Sequence, residues 1–373
     1  MKSAPKLLSW CTNCVSMSTR PRISFDERGL CNACIWAENK QSLDWVGRKA
    51  ELGELLDRHR RKDGSFDCLV PVSGGKDGSY VTYNLKHNYG MNPLAITIPP
   101  PLPLDLGQRN LRAFKESGYD LISVDPEPKA MQALNKAGFI EIGFPYYGWM
   151  TAIHTAVVRM ALTLGINLIF YGEDGEVEYG GSTENVNSPK LTIEYIKNAW
   201  LEDGHQRVFS QIGATANPYF FKWPTEEELE RSPVYQYFWS YFENWDPYRN
   251  FLTAKEHCGL QEAELGNLGT FTNFAQNDQI LYALHTYLMF LKFGFGRANQ
   301  DACIEVRRGA MDRQQAVQLV RMYDGRYPEE FIDQYLDYYQ MTQVEFNRAI
   351  DRFANRELFE KINGRWQQTF TVQ

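Results

Sequence analysis

From residue 66 onward the chain alternates short apolar runs with longer segments that are apolar on one side only. The runs at 67–72, 92–98, 120–125 and 166–172 have the length of buried strands, whereas 77–89, 105–118, 128–137 and 151–164 predict helices. Such alternation predicts a parallel sheet with helices on both faces. Ahead of it, 41–62 predicts a highly charged amphipathic helix with Leu43, Val46, Leu52, Leu55 and Leu56 on one side. Beyond about residue 190 the pattern is mostly helical, with Tyr, Phe and Trp crowded into 233–251, where core packing is the first expectation and a docking surface the second. The expected organisation is an N-terminal module over 1–40, an α/β domain over 41–190 and a helical region over 191–373. Pro99-Pro100-Pro101-Leu102-Pro103 predicts a rigid loop at the C-terminal edge of the second strand, the edge where open α/β sheets bind ligands.

Composition narrows the class without choosing a function. The 373 residues, 43% hydrophobic and 23% charged, suit a globular chain with a substantial core. A net charge of −7 argues against a protein whose main task is gripping nucleic acid. The most apolar windows, 151–171 and 279–295, are interrupted by His154, Arg159, His285 and Lys292, so buried helices are expected rather than membrane spans. No signal peptide is visible, and a cytoplasmic location is expected.

Four of the seven cysteines form a pattern, Cys11-x2-Cys14 and Cys31-x2-Cys34. Paired knuckles at this separation fit a tetrahedral structural zinc site, closed to substrate because four thiolates fill it. A module of this size has too little core to fold alone, so the metal would supply most of its folding free energy. Disulfides are the alternative, disfavoured in a cytosolic chain with three cysteines left over. Cys68, Cys258 and Cys303 stand alone and read as small buried hydrophobes.

The first predicted strand breaks into Ser73-Gly74-Gly75-Lys76-Asp77-Gly78-Ser79 and then a helix. A glycine-rich turn at a helix N-terminus presents backbone N–H groups to an anion. It is not a Walker A loop, because Lys76 is followed by Asp77 rather than Ser or Thr. The SGGxD pattern resembles the PP-loop of ATP pyrophosphatases, although Gly78 intervenes before the usual serine. The resemblance implies that Ser73 to Ser79 cradle the pyrophosphate of ATP and that Asp77 binds magnesium.

The fourth strand runs into Gly172-Glu173-Asp174-Gly175-Glu176-Val177-Glu178-Tyr179-Gly180-Gly181. Alone this would be a solvated acidic turn; at the ligand edge of the sheet the carboxylates call for a cation. The order resembles the corresponding loop of asparagine-synthetase-type enzymes. That implies Gly172 at the nucleotide, Glu173 as the base that takes a proton from the attacking amine, and Glu176 as a second magnesium ligand, with Asp174 competing. Late in the chain, Lys292 and Arg297 flank a glycine-containing turn. The PP-loop resemblance implies a cation returning from this part of the chain to neutralise charge at the breaking phosphoanhydride, and these two are the candidates. Arg307 and Arg308 are equally explained as helix-surface partners of Asp301 and Glu305.

Taken together, the paired knuckles with Phe25-Asp26-Glu27-Arg28-Gly29-Leu30, the SGGKDGS loop, Tyr171-Gly172-Glu173, and the run from Lys292 to Gly309 resemble N-acetyl sugar amidotransferases of the WbpG type over nearly the whole chain. The resemblance implies an adenine nucleotide alpha hydrolase-like fold. It further implies conversion of an acetamido group on a nucleotide-linked sugar to an acetamidino group, for O-antigen or related surface glycans. ATP would adenylylate the acetamido oxygen and ammonia would displace AMP. No glutaminase elbow is present and His257-Cys258 is a weak pairing, so the family implies a separate class I glutaminase resembling that of imidazole glycerol phosphate synthase, with a cyclase-like barrel protein accompanying it. The rivals are a tRNA-thiolating enzyme, which the acidic balance and the lack of a third CxxC disfavour, and a non-catalytic nucleotide-binding partner subunit.

Overall fold

The computed structural model describes residues 8–212 and 219–373. Its centre is a five-stranded, wholly parallel sheet: β1 (Cys68–Pro71), β2 (Pro93–Thr97), β3 (Leu121–Ser123), β4 (Leu168–Tyr171) and β5 (Tyr235–Phe238). The strand order is β3-β2-β1-β4-β5. The chain therefore walks outward from β1 through β2 to β3, then returns to lay β4 on the other side of β1. The carboxyl ends of β1 and β4 flank the point where winding reverses, the place where open α/β sheets hold ligands.

Successive strand residues face opposite layers. Leu69, Leu94, Ile96 and Ile169 enter one core with helices α5 (Pro128–Ile142) and α6 (Tyr147–Leu164), whereas Cys68, Val70, Ala95, Leu168 and Phe170 enter the other. That second core is covered by α2 (Trp45–His59), α3 (Lys76–Tyr83) and α4 (Asp105–Glu116). The N-terminal module adds the short helix α1 (Asn32–Asn39) directly after Cys31.

Three expectations are corrected. Helix α2 buries Leu52, Leu55 and Leu56, but Val46 is 82% exposed; six residues before Leu52 it stands about 240° round the helix, off the apolar stripe. Leu43 precedes the helix altogether. The sheet takes β5 from beyond the boundary expected at 190, so the C-terminal region completes the α/β domain rather than following it. That region also ends in an antiparallel hairpin, Phe359–Ile362 with Arg365–Gln368. In 233–251 the aromatics are mostly core: Phe238, Trp239, Phe242, Trp245 and Phe251 are buried. Among the described residues no helix is long and apolar enough to cross a membrane.

Candidate active site

β1 leads into the glycine-rich turn, and α3 starts at Lys76. Gly74 has φ +82°, and a Cβ there would run into the Leu111 backbone of α4. At Gly78 a Cβ would lie 2.5 Å from the Pro71 carbonyl oxygen. The residue that departs from the expected serine is thus the one where α3 crosses the end of β1 too closely for any side chain. The turn forms one wall of a cleft of about 340 Å³ at the reversal point. Ser73 to Gly78 line it; Ser79, expected to touch the nucleotide, is buried beneath the turn.

Lys76 and Asp77 form an ion pair, and Asn250 Nδ2 donates to Asp77 Oδ1 at 3.3 Å. Across the cleft, β4 delivers Glu173. Gly172 does not line the cleft but brings this turn against Asp77: a Cβ on Gly172 would sit 3.1 Å from that of Asp77. Burial, reinforced by the Asp77 charge, pushes the Glu173 carboxyl up to about 7, against the opposing pull of Lys76 and of the Tyr179 hydroxyl. A carboxylate so placed is suited to general-base work near neutral pH.

The other acids of this run go elsewhere, because a five-residue helix, α7 (Gly175–Tyr179), fans them apart. Asp174 caps α7 through the Glu176 N–H and accepts from Tyr195 at 2.9 and 3.0 Å. Both Glu176 oxygens are gripped by Arg22, at 2.6 and 2.7 Å, and the Ser182 N–H adds a third bond at 2.6 Å. Neither lines the cleft with Asp77, so the expected magnesium role of Glu176, and that of its competitor Asp174, is corrected. Glu178 accepts from Trp36 Nε1 and Lys40 Nζ, each at 2.8 Å.

The two late cations part company. Arg297 lines the cleft, paired with Asp301 at 2.8 Å. Lys292 points the other way, donating to the Ile142 carbonyl at the C-terminus of α5 and pairing with Glu202 at 3.3 Å. The glycine between them, with φ +83°, ends one helix and turns the chain before the next begins at Arg297, so the two side chains diverge. Arg308 pairs with Glu305 and Asp246, as a surface partner would. Arg307 instead reaches the cysteine cluster, with Nη1 3.9 Å from Cys14 Sγ, and donates to the Glu178 carbonyl.

That cluster fits zinc. The Sγ atoms of Cys11, Cys14, Cys31 and Cys34 all lie within 4.8 Å of one another, with Cys11–Cys34 and Cys14–Cys31 at 3.7 Å. Thiolates about 2.3 Å from a tetrahedral zinc stand about 3.8 Å apart, whereas a disulfide requires about 2.05 Å. The Cys31 N–H, 3.2 Å from Cys11 Sγ, and the Asn13 amide, 3.4 Å from Cys34 Sγ, supply the supporting donors such a site uses.

The far wall of the cleft escaped the sequence reading. Phe274 to Asp278, with Tyr282, close it opposite the glycine-rich turn, and burial pushes Asp278 up to about 6. The proline run lies behind this wall: Leu102 and Leu104 exchange backbone bonds with Ile280 and Asp278. Asn250, Tyr179 and Arg22 were missed as well. The available signal was the cluster of Asn267, Asn273, Gln276, Asn277 and Asp278, polar without periodicity and directly before an apolar helix.

Residues 268–372, which include this wall and Arg297, match the family described as LPS biosynthesis protein WbpG-like, C-terminal domain. A stretch of 89 residues is 28% identical to the uncharacterized protein MJ1599 of Methanocaldococcus jannaschii, covering 24% of this chain and 32% of that relative.

Proposed function

We propose that this protein is an ATP-dependent amidotransferase of surface-glycan biosynthesis, forming AMP and pyrophosphate as it converts an acetamido group of a nucleotide-linked sugar to an acetamidino group. The observation that carries the reading is Glu173: a half-buried carboxylate pushed up to about 7, facing Lys76 and Asp77 at the reversal point of a parallel sheet. The similarity of 268–372 to a WbpG-like domain supplies the biosynthetic context.

An amide carbon resists ammonia because its oxygen leaves poorly. In the proposed reaction that oxygen attacks the α-phosphorus of ATP, and the broken phosphoanhydride bond releases pyrophosphate. The turn from Ser73 to Gly78, with Lys76 and Arg297, receives that charge. Ammonia then adds to the imidate carbon, Glu173 takes a proton from the incoming nitrogen, and AMP departs with the former amide oxygen and the electrons of its bond to carbon. Magnesium, when bound, would neutralise the leaving pyrophosphate; Asp77 is the loop carboxylate able to hold it. Zinc would be structural, since its four thiolates leave no open position.

A separate source of ammonia, the class I glutaminase with its barrel companion, belongs to the same reading. Its support is that no thiol outside the zinc cluster is poised as a nucleophile among the described residues. Cys68, Cys258 and Cys303 are buried, burial holds the Cys258 thiol up at about 11, and His257 stacks on Tyr83.

The test is mass spectrometry of UDP-linked di-acetamido sugars incubated with the protein, ATP, magnesium and concentrated ammonium at mildly alkaline pH. Replacement of one sugar oxygen by NH, with equimolar AMP, is expected in the wild type and lost in Glu173→Gln. AMP release that never alters a sugar across the substrate panel would refute the reaction.

A further inference from the structure

Beyond Glu173 a second chamber of about 430 Å³ opens. Glu173, Tyr146, Met150, Tyr179 and Trp200 line both spaces, so they adjoin at that carboxylate. The outer wall comes from the loop between the two cysteine knuckles, pinned where the Thr19 hydroxyl donates to the Phe293 carbonyl at 2.5 Å. Within this loop Arg22 adopts φ +61°, a conformation rare for a side-chain-bearing residue, and donates two hydrogen bonds to Glu176.

Arg20, two residues earlier, has no such partner. Among the described residues it makes no ion pair, its buried Nε lacks a hydrogen-bond acceptor, and its guanidinium lies 5.9 Å from the centroid of the Phe295 ring. Glu176, whose charge favours the cation, already has its oxygens taken by Arg22 and Ser182. Trp200 Nε1 and His285 Nδ1 line the same chamber, also buried and unpartnered. Buried polar groups left unpaired cost free energy that a complementary ligand would offset. The rings of Phe144, Phe293 and Phe295 give the rest of the wall an apolar face, the usual make-up of a small-molecule site.

We propose that this chamber binds the acceptor, an N-acylated sugar carrying an anionic group, with Arg20 contacting the anion and the acyl group turned toward Glu173. The proposal rests on the amidotransferase reading for the identity of the acyl acceptor. The anion is a phosphate oxygen of a nucleotide diphosphate or a carboxylate of the sugar itself; both offer the guanidinium paired oxygens.

The test is calorimetric binding to the full-length, zinc-loaded protein of three probes: UDP-N-acetylglucosamine, N-acetylneuraminic acid and N-acetylglucosamine. One anionic probe is expected to bind about 10-fold or more tightly than the neutral sugar, and Arg20→Gln to weaken it about 10- to 100-fold. Arg20→Lys should recover part of the loss, with ATP affinity unchanged in both variants. A response to the UDP-sugar assigns the diphosphate, and one to the sialic acid assigns the carboxylate. Should Arg20→Gln lose zinc or unfold, His285→Leu, at a residue that lines this chamber and not the cleft, is to give the same selective loss. Equal binding of charged and neutral probes, no binding of either anionic probe at millimolar concentration, or an unchanged affinity in Arg20→Gln overturns the proposal. Amidine formation with an unaltered acceptor KM in Arg20→Gln would remove the chamber and leave the reaction standing. Arg20-dependent anion binding without ATP-dependent amidine formation would do the reverse.

Discussion

The Tyr179 hydroxyl donates a 2.8 Å hydrogen bond to Glu173 Oε1. The bond favours the ionised carboxylate against burial and the Asp77 charge, which together push Glu173 up to about 7. A base works only when ionised. The amidotransferase rate, normalised to free ammonia, is therefore expected to rise with pH through about 7 and then level off. Tyr179→Phe removes the stabilising donor and should move this acid limb to higher pH by about 0.7 unit, the equivalent of one hydrogen bond. A limb that stays in place would disconnect Tyr179 from the base.

The same shift makes Glu173 a liability to stability. Its proton is bound more tightly in the folded protein than in the unfolded chain, so the favourable contribution is complete below the unfolded carboxyl range and is lost as pH rises through about 7. Above that pH a half-buried charge remains beside Asp77. Glu173→Gln, neutral at every pH, should melt higher than the wild type at pH 8, and its advantage there should exceed that at pH 5 by about 2 °C or more. Thermal unfolding at the two pH values decides it; equal differences would mean Glu173 titrates as an ordinary carboxyl.

Zinc is expected to act on the site from a distance. Trp36 and Lys40 of the module bind Glu178, the neighbour of Tyr179, and Asn32 Nδ2 donates to the Gly181 carbonyl. Loss of the metal releases α1 and with it the helix that orients Tyr179. Cys34→Ser should lower the zinc content, depress the melting temperature and sharply reduce ATP turnover, although no cysteine lines the cleft. Elemental analysis beside turnover is the check, and full activity in zinc-free protein would make the module a separate appendage.

What the sequence made legible was local. The strand–turn–helix at 68–83 and the arrival of Glu173 after β4 follow from apolar runs broken by glycine, and both stand where expected. The paired knuckles likewise predicted a cluster that 3.7 Å sulfur spacings support. What stayed hidden depended on contacts between distant segments. Tyr235-Gln236-Tyr237-Phe238 is too short to show a period, and it is a strand only because β4 lies beside it. Glu176 has the spacing expected of a metal ligand, but Arg22, 154 positions away, takes both its oxygens. Spacing along a chain carries no information about which carboxylate a remote arginine will claim.

Lys292 and Arg297 are five positions apart and should behave as unrelated residues. Lys292 caps the carbonyl end of α5, an interaction worth about 1 kcal/mol or less. Lys292→Met should thus lower stability by about that much and leave kcat intact. Arg297→Met removes one of the two cations that line the cleft, leaving Lys76, and leaves Asp301 buried with only Thr270 as a side-chain donor. A fall of 100-fold or more in kcat, on the order of 3 kcal/mol, is expected for a group that meets charge in the transition state. Steady-state kinetics on both variants, with melting curves as controls, separates the roles; a large kcat loss in Lys292→Met would return that lysine to the reacting centre.

Two glycine substitutions test whether the turn from Ser73 to Gly78 is built by backbone geometry. Gly53 lies within α2 with nothing inside 4 Å of its would-be Cβ. Replacing it with alanine removes unfolded-state freedom at no steric cost and should stabilise the protein by about 0.5–1 kcal/mol, with ATP turnover unchanged. Gly74 is its opposite, combining φ +82° with a Cβ that would enter the Leu111 backbone of α4. Alanine there meets a left-handed conformation costing about 1–2 kcal/mol and a clash that only movement of the turn or of α4 can relieve. Gly74→Ala is expected to lose ATP binding before it loses the fold, because the backbone N–H groups that would face the pyrophosphate are the first to be displaced. Denaturant unfolding and nucleotide titration on the pair make the comparison. Similar ATP affinity in both variants would mean that the turn does not hold the phosphates.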